Sequence, residues 1–347
     1  MNNSSERLYF ASDYMEGTHP AILSRLTETN MEKTIGYGFD EYTLSAKDRI
    51  RCACEAPDAD VYFLVGGTQA NATVIDALLH SYEGVIAAET GHIATHEAGA
   101  IELGRHKVLT LGQRDGQLSA SAVNGYMTIF LQDANRDHTV QPGMVYISQP
   151  TEQGTLYTLK ELEDLSRACH SHGLALYLDG ARLAYAFGCP ENDVTLPDIA
   201  RLCDVFYIGG TKCGALFGEA VVIPKAGFIP HFFTIIKQHG ALLAKGRIAG
   251  IQFDTLFTDN LYFRIGKTAI DAADRIREAL TQKGYTFAFH TPTNQIFITL
   301  EKAQADALSE KVEMGFWETV DEHHVVMRIA TSWATQPEDV DALIELL

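Results

Sequence analysis

Short apolar runs recur along the chain and end at polar or turn-forming residues. Residues 61–65, 85–88 and 145–148 have the length and the β-branched or aromatic composition of buried strands. Residues 174–178 and 205–208 repeat that pattern. Because most of these runs border a glycine or an aspartate, the sequence predicts a series of short strands separated by turns.

Amphipathic segments separate these strands. Residues 160–173 carry Leu162, Leu165 and Ala168 on one helical face and end at Gly173, which is typical of a helix C-terminus. Strand and helix therefore alternate, which predicts βαβ units and a mainly parallel sheet. In an open parallel sheet the residues that follow the strands meet at one edge, and ligands bind there.

The C-terminal third has a different pattern, with helices up to about residue 280 and strands afterwards. The strands are predicted at 286–290, 295–300 and 324–330. This arrangement favours a large domain over residues 14–255 and a small α+β domain formed by residues 256–347 with the N-terminal segment 1–13. Residues 1–8 are polar, and we expect them to be disordered or loosely attached.

Composition narrows the class of protein. With 27 basic and 45 acidic residues, the 347-residue chain has a net charge of −18. That charge argues against nucleic acid and anionic membranes as partners. No apolar run approaches the roughly 18 residues of a spanning helix, and the six cysteines are scattered. We therefore expect a cytoplasmic protein with free thiols.

Two charged residues follow predicted strands at the ligand-binding edge. Asp179 ends the run at 174–178, and Lys212 comes shortly after the run at 205–208. Pyridoxal phosphate needs a lysine amine for a Schiff base with its aldehyde, and a carboxylate to keep its ring nitrogen protonated. Lys212 and Asp179 fit those two roles, so we predict this cofactor. Thr211, directly before the lysine, is counted among the cofactor-binding residues.

The phosphate of that cofactor needs its own site. Gly67, Thr68 and Gln69 form a tight turn between the strand at 61–65 and a helix with one apolar face. Free backbone N–H groups and the positive end of the helix dipole favour an anion at such a helix start. We predict that these three residues hold the phosphate.

These residues lie in motifs that resemble a known family. The motifs are FASD at 10–13, GGTQAN at 66–71, ETGHIATHEAGA at 89–100, DGARL at 179–183 and TKCG at 211–214. Together they resemble the threonine aldolase and aromatic amino acid β-eliminating lyase family of fold type I, aspartate-aminotransferase-like enzymes. The resemblance implies a three-layer α/β/α large domain with a mainly parallel sheet, plus a small α+β domain. It also implies an amino acid substrate.

The resemblance assigns roles to further residues. The ring of His92 would stack on the cofactor, while Ser12, Arg182 and Arg328 would bind the substrate carboxylate, with Arg182 also near the cofactor. Tyr37 would reach a cofactor in a neighbouring subunit, which implies a homodimer or homotetramer with shared active sites.

A metal site is the alternative for one part of the motif at 89–100. His92 and His96 are four residues apart and could bind zinc from one helical face. No third ligand is evident, so we predict no metal.

The sequence departs from the family at two places. Glu152 stands where many threonine aldolases carry a histidine near the substrate hydroxyl, and it is a candidate base or hydroxyl acceptor. The usual arginine-containing turn after the lysine's strand is missing, and Lys245 or Arg247 would take over as the phosphate ligand.

The leading prediction is cleavage of L-threonine, L-allo-threonine or a similar β-hydroxy amino acid into glycine and an aldehyde. β-Elimination or another amino acid reaction on the same scaffold is the alternative, and a non-catalytic binding protein of the same fold is a further one.

Overall fold

A computed structural model describes residues 7–347, and residues 1–6 lie outside the described part of the chain. Most of the segment that we expected to be disordered is therefore not described. The strands are β1 (Leu8–Phe10), β2 (Asp60–Leu64), β3 (Glu83–Ala88), β4 (Val108–Leu111), β5 (Gln141–Ser148), β6 (Ala175–Gly180), β7 (Val205–Gly209), β8 (Glu219–Ile223), β9 (Thr286–Phe287), β10 (Gln295–Glu301), β11 (Val312–Thr319) and β12 (His324–Ala330).

Helices connect these strands, with two short 3₁₀ turns at Arg136–His138 and Thr258–Asn260. The helices are α1 (Pro20–Glu28), α2 (Glu41–Ala53), α3 (Gly67–Leu78), α4 (His92–Thr95), α5 (Ala100–Leu103), α6 (Ala120–Gln132), α7 (Leu159–Ser171), α8 (Leu183–Gly188), α9 (Leu196–Leu202), α10 (Phe232–Gln238), α11 (Arg247–Leu256), α12 (Leu261–Gln282), α13 (Lys302–Ser309) and α14 (Pro337–Leu346).

The large sheet has seven strands in the order β2-β8-β7-β6-β5-β3-β4. Every strand runs in the same direction except β8, which is antiparallel to both of its neighbours. Alternate residues of the central strands enter two separate cores: Val145 and Leu176 on one face, Tyr146 and Tyr177 on the other. Helices cover both faces, so the predicted three-layer α/β/α architecture is confirmed.

Several of the observed strands were not predicted from the sequence. We expected only loop and helix between 104 and 144, but β4 forms there as an edge strand with no fully buried residue. β11 was also not predicted, because much of it is exposed and its apolar alternation is weak. The run at 221–223, which was not assigned to a strand, forms the end of β8.

The small sheet has the order β1-β11-β12-β10-β9, and only the β1–β11 pair is parallel. Helix α12 packs against α8 of the large domain and against β10 of the small sheet. The contact with α8 depends on Gly266, where an added Cβ would lie 2.1 Å from the carbonyl oxygen of Ala184. The domain boundary near residue 255 remains a prediction.

The two tryptophans lie where the small domain meets the large one. A β-bulge in β11 between Phe316 and Glu318 contains Trp317, whose ring stacks on His96 with 5.9 Å between centroids. Trp333, in the loop after β12, lies 5.7 Å from the ring of His19. Among the described residues, no helix is long and apolar enough to cross a membrane.

Candidate active site

A cavity of about 300 Å³ opens at the carboxyl edge of the large sheet. Residues predicted from the sequence line much of it: Gly67, Thr68, His92, Glu152, Asp179, Arg182, Thr211 and Lys212. They come from five separate segments between residues 67 and 212. The structure therefore brings together most of the residues that we expected to share a site.

Asp179 is the last residue but one of β6 and is almost completely buried. Its Oδ2 accepts hydrogen bonds from the Tyr146 hydroxyl at 2.6 Å and from Asn71 Nδ2 at 3.2 Å, while Oδ1 accepts from the backbone N–H of Ala181. Burial favours the neutral form, but His92 and the hydroxyl donors outweigh it and lower the pKa of Asp179. The carboxylate is therefore kept charged, as a partner of a protonated ring nitrogen must be.

Lys212 lies in the loop that joins β7 to the antiparallel β8, and its Nζ is 5.9 Å from the centroid of the Tyr14 ring. Burial lowers the pKa of the Lys212 amine, and the charge of Arg182 lowers it further. A larger neutral fraction makes the amine a better nucleophile near neutral pH.

Glu219, the first residue of β8, stabilises the lysine loop and was not predicted. Its carboxyl group accepts from the Thr211 hydroxyl at 2.8 Å and from the backbone N–H of Gly210 at 3.3 Å. Burial raises the pKa of Glu219 to about 8, although the Thr211 hydrogen bond and the charge of Lys212 oppose that effect. Thr211 is therefore fixed by a buried carboxyl group next to the lysine.

The predicted phosphate turn forms the start of α3. Gly66 is the N-cap residue and no side chain caps the helix. A Cβ on Gly67 would lie 2.9 Å from the hydroxyl oxygen of Tyr207, which is buried, so this position has no room for a side chain. Gln69 is different, because its Oε1 accepts from the backbone N–H of Val65 and its side chain does not line the cavity.

His92 begins α4 and belongs to a buried hydrogen-bond network. Its Nδ1 lies 2.7 Å from Glu97 Oε1, and Asn71 Nδ2 donates to the same oxygen at 2.7 Å. Asn71 also contacts Asp179, so it joins the histidine's partner to the buried carboxylate. His96 stacks on His92 with 5.7 Å between ring centroids but lies outside the cavity lining.

Glu152 follows β5 and is 9% exposed. Its Oε1 accepts from the backbone N–H of His92 at 2.9 Å and from the Ser148 hydroxyl at 2.6 Å. Burial raises the pKa of Glu152, and the charge of Asp179 adds to that rise, whereas the donors oppose it. A carboxyl group with a raised pKa is a stronger base once it is ionised.

Arg182 has a partner that the sequence analysis missed. Its Nε and Nη2 donate to the two carboxylate oxygens of Asp13 at 2.6 and 3.0 Å, and Asn294 Nδ2 donates to Asp13 at 2.9 Å. Burial disfavours a charged Asp13, but Arg182 and Lys212 outweigh it and lower the pKa of Asp13. Only Nη1 of Arg182 is without a partner among the described residues.

Arg328 lies close enough to share this charge environment. Burial lowers the pKa of Arg328, the charge of Arg182 lowers it further, and Asp13 opposes both. Its Nη1 donates to Gln295 Oε1 and its Nη2 to the carbonyl of Ala11, while Nε is buried with no partner in the described chain. The two predicted guanidinium groups therefore lie close enough to feel each other's charge and that of Asp13.

Six predicted residues do not line the cavity: Gln69 and Arg328, described above, and Ser12, Tyr37, Lys245 and Arg247. Ser12 is half-buried beside Asp13. Tyr37 and Lys245 are exposed on two loops that contact each other, since the backbone N–H of Tyr37 donates to the carbonyl of Ala244. Arg247 donates to the backbone carbonyls of Glu32 and Thr29.

Comparison with known proteins identifies the family. A family model described as β-eliminating lyase matches residues 10–303. This chain belongs to the β-eliminating lyase family. Enzymes of this family depend on pyridoxal phosphate.

Relatives of this β-eliminating lyase match over nearly the full length. The low specificity L-threonine aldolase of Pseudomonas aeruginosa is 31% identical over 340 residues, which cover 96% of this chain and 95% of the relative. A protein of the same name from a Pseudomonas species is 31% identical over 308 residues, 87% of each chain. The structure of a threonine aldolase from Leishmania major is 42% identical, covers 98% of both chains and has a TM-score of 0.94.

The cavity of this β-eliminating lyase fits the family's cofactor. The chain offers a buried amine with a lowered pKa, a buried carboxylate with a lowered pKa, and a helix start without a side-chain cap. The ring of His92 lines the same cavity. These groups match the aldehyde, the ring nitrogen, the phosphate and the aromatic face of pyridoxal phosphate.

Proposed function

We propose that this protein cleaves β-hydroxy amino acids such as L-threonine and L-allo-threonine into glycine and an aldehyde. The proposal rests on one arrangement: Lys212, Asp179 and the buried carboxyl group of Glu152 line a single cavity. It agrees with the names of the relatives from both pseudomonads.

The cofactor would be held by groups already in place. The backbone N–H groups of Gly67 and Thr68 would hold its phosphate, Asp179 its ring nitrogen, His92 its ring face and Lys212 its aldehyde carbon. When bound, pyridoxal phosphate delocalises the electron pair left on the substrate Cα, which makes a bond at Cα breakable.

The substrate carboxylate would be bound near Arg328 and the free Nη1 of Arg182, with Ser12 as a further donor. That orientation would direct the substrate's β-hydroxyl group towards Glu152. Glu152 would remove the hydroxyl proton while the Cα–Cβ bond breaks and the aldehyde C=O bond forms. The electron pair remains on Cα, which then takes a proton to give glycine.

We also propose a homo-oligomer with shared active sites, in which Tyr37 and Lys245 reach the cavity of a neighbouring copy. Both residues are exposed and lie on adjacent loops away from their own chain's cavity. Ile35 and Phe39, on the same loop as Tyr37, are 70% and 58% exposed. Apolar side chains clustered on a surface are typical of an interface. A cytoplasmic location remains a prediction.

The test is to incubate the purified protein with pyridoxal phosphate and either L-threonine or L-allo-threonine, and to measure acetaldehyde and glycine. We expect both products from the parent protein and none from Lys212→Ala. Lys225→Ala, which changes an exposed lysine far from the cavity lining, is the control and should keep the activity. 2-Oxobutyrate and ammonia in place of acetaldehyde would instead indicate β-elimination and refute the proposed aldol cleavage.

A further inference from the structure

Four buried side chains form a continuous line of contacts across one side of the cavity. Ser148 Oγ lies 2.6 Å from Glu152 Oε1 and 3.3 Å from the Tyr146 hydroxyl oxygen. The Tyr146 hydroxyl in turn lies 2.6 Å from Asp179 Oδ2. The line begins at the candidate base and ends at the carboxylate that would hold the cofactor's ring nitrogen.

Sheet register creates this line. In the parallel pair β5–β6, Tyr146 lies opposite Tyr177, and Ser148 lies opposite Asp179. Residues two apart on a strand point to the same face, so the two hydroxyl side chains are adjacent on the face that carries Asp179. The chain then turns after β5 and brings Glu152 back to Ser148.

Counting hydrogens shows that the line is incomplete when both carboxyl groups are ionised. Three contacts need three hydrogens, but Ser148 and Tyr146 supply one each. Tyr146 donates to Asp179, and Ser148 donates either to Glu152 or to Tyr146, so one contact has no hydrogen. A single proton added at either end makes every contact a hydrogen bond.

The surroundings decide which end receives that proton. Asp179 accepts from Tyr146, Asn71 and the backbone N–H of Ala181, three donors that stabilise its charge. Oε1 of Glu152 accepts from Ser148 and from the backbone N–H of His92, and the backbone N–H of Glu152 itself also favours the charged form, but the charge of Asp179 disfavours it. The proton therefore belongs on Glu152.

We propose that Ser148 and Tyr146 are positioning residues that join Glu152 to Asp179, so that a proton arriving at Glu152 completes one continuous chain of hydrogen bonds. This inference rests on the proposed function, in which Glu152 takes the substrate's hydroxyl proton. In the completed chain Glu152 donates to Ser148, Ser148 donates to Tyr146, and Tyr146 donates to Asp179. When the proton leaves, Ser148 donates to the ionised Glu152 again.

Other charged or titratable groups also face Glu152, and their effect on its protonation is present in the parent and in every variant. His92, Glu97 and Tyr157 pack around it together with Asp179, and Lys212, Arg182 and Glu219 line the same cavity. Burial with the charge of Asp179 raises the pKa of Glu152, in agreement with a proton on this end. Of these groups only Asp179 loses a hydrogen bond when the Tyr146 hydroxyl is removed, and it keeps Asn71 and the backbone N–H of Ala181 as donors. Asp179 is itself one end of the chain, so Tyr146→Phe perturbs the chain alone.

The test compares the parent with Tyr146→Phe, which removes a single oxygen atom. Without that oxygen the hydrogen of Ser148 has no acceptor beyond Glu152, so the ionised form of Glu152 is favoured. We expect the acid limb of the pH profile of kcat/KM to move to lower pH by roughly half to one unit. The infrared C=O stretch of the protonated carboxyl, assigned by its loss in Glu152→Gln, should titrate with the same displacement.

Tyr157→Phe is the matched control. It also removes a buried phenol oxygen, but that hydroxyl group contacts only the backbone of Leu118. We expect its infrared midpoint to equal that of the parent. An unchanged midpoint in Tyr146→Phe, or an equal displacement in Tyr157→Phe, would overturn the inference. If the parent releases no aldehyde, the proposed function fails, whereas the infrared titration still reports on the chain.

Discussion

The buried ion pair between Asp13 and Arg182 can be broken without changing the shape of either residue. In Asp13→Asn the guanidinium group loses its carboxylate partner, and both side chains are largely inaccessible to water, with 0% and 11% exposed. Removing one partner of such a pair leaves an uncompensated buried charge, which costs about 3–5 kcal/mol. We expect the free energy of unfolding, measured by urea denaturation, to fall by about that amount.

The same substitution should weaken substrate binding. Asp13 fixes two N–H groups of Arg182, so its loss releases the guanidinium group from the orientation that places Nη1 at the cavity. A charge-assisted hydrogen bond contributes about 1.5–3 kcal/mol, so KM for L-threonine should rise by roughly 10- to 100-fold. In Asp13→Ala, added acetate should partly restore KM by occupying the place of the missing carboxylate.

Asp254→Asn provides the matched control. Asp254 is also a buried aspartate, and it pairs with Arg25 and Arg49 and accepts from Ser45, away from the cavity. It should lower stability and leave KM unchanged. The reasoning would be refuted if Asp13→Asn unfolded at the urea concentration of the parent, or if Asp254→Asn raised KM equally.

Three further predictions concern the lysine loop, the phosphate turn and the oligomer. Glu219→Gln should stabilise the protein relative to the parent, and increasingly so from pH 5 to 8. In that range the folded parent keeps the proton of Glu219 while the unfolded parent has lost it, which lowers the parent's free energy of unfolding by up to about 1.4 kcal/mol per pH unit. The same difference in free energy of unfolding between variant and parent at pH 6 and pH 8, measured with urea, would contradict this. Gly67→Ala should weaken pyridoxal phosphate binding about 5- to 100-fold, measured by absorbance titration, since its Cβ would displace the Tyr207 hydroxyl; an unchanged Kd would exclude the crowding. If active sites are shared, mixing the inactive variants Tyr37→Ala and Lys212→Ala should restore part of the activity, because a mixed oligomer contains a site with Lys212 from one copy and Tyr37 from the other. No recovery after subunit exchange would rule out sharing.

Much of the fold could be predicted from the sequence because the central strands are buried on both faces. Continuous apolar runs of strand length, such as 145–148 and 205–208, leave little choice of structure. The strands β4 and β11 lack that signal: β4 is an edge strand with no fully buried residue, and most residues of β11 are exposed or half-buried. The antiparallel direction of β8 depends on the loop 210–218, whose glycines indicate a turn but do not specify the direction of the strand that follows.

The site shows the same division between local and distant signals. Asp179 and Lys212 follow predicted strands, and the sheet edge unites them. Asp13 could not be paired with Arg182, because 169 positions separate them and only the folded N-terminal segment brings them together. Glu97 lies five residues after His92 and could have been found as its partner. Tyr146 and Ser148 could have been found from their spacing of two along one strand.

The placement of the two tryptophans has a consequence for fluorescence measurements on this protein in solution. Trp317 stacks on His96 across the junction, and Trp333 lies against His19. Because the chain contains only these two tryptophans, its tryptophan fluorescence comes from two points at that junction and not from the interior of either sheet. Tryptophan emission spectra therefore report, without an added label, on the contact between the small and the large domain, and His96 connects that contact to the ring of His92 in the cavity lining.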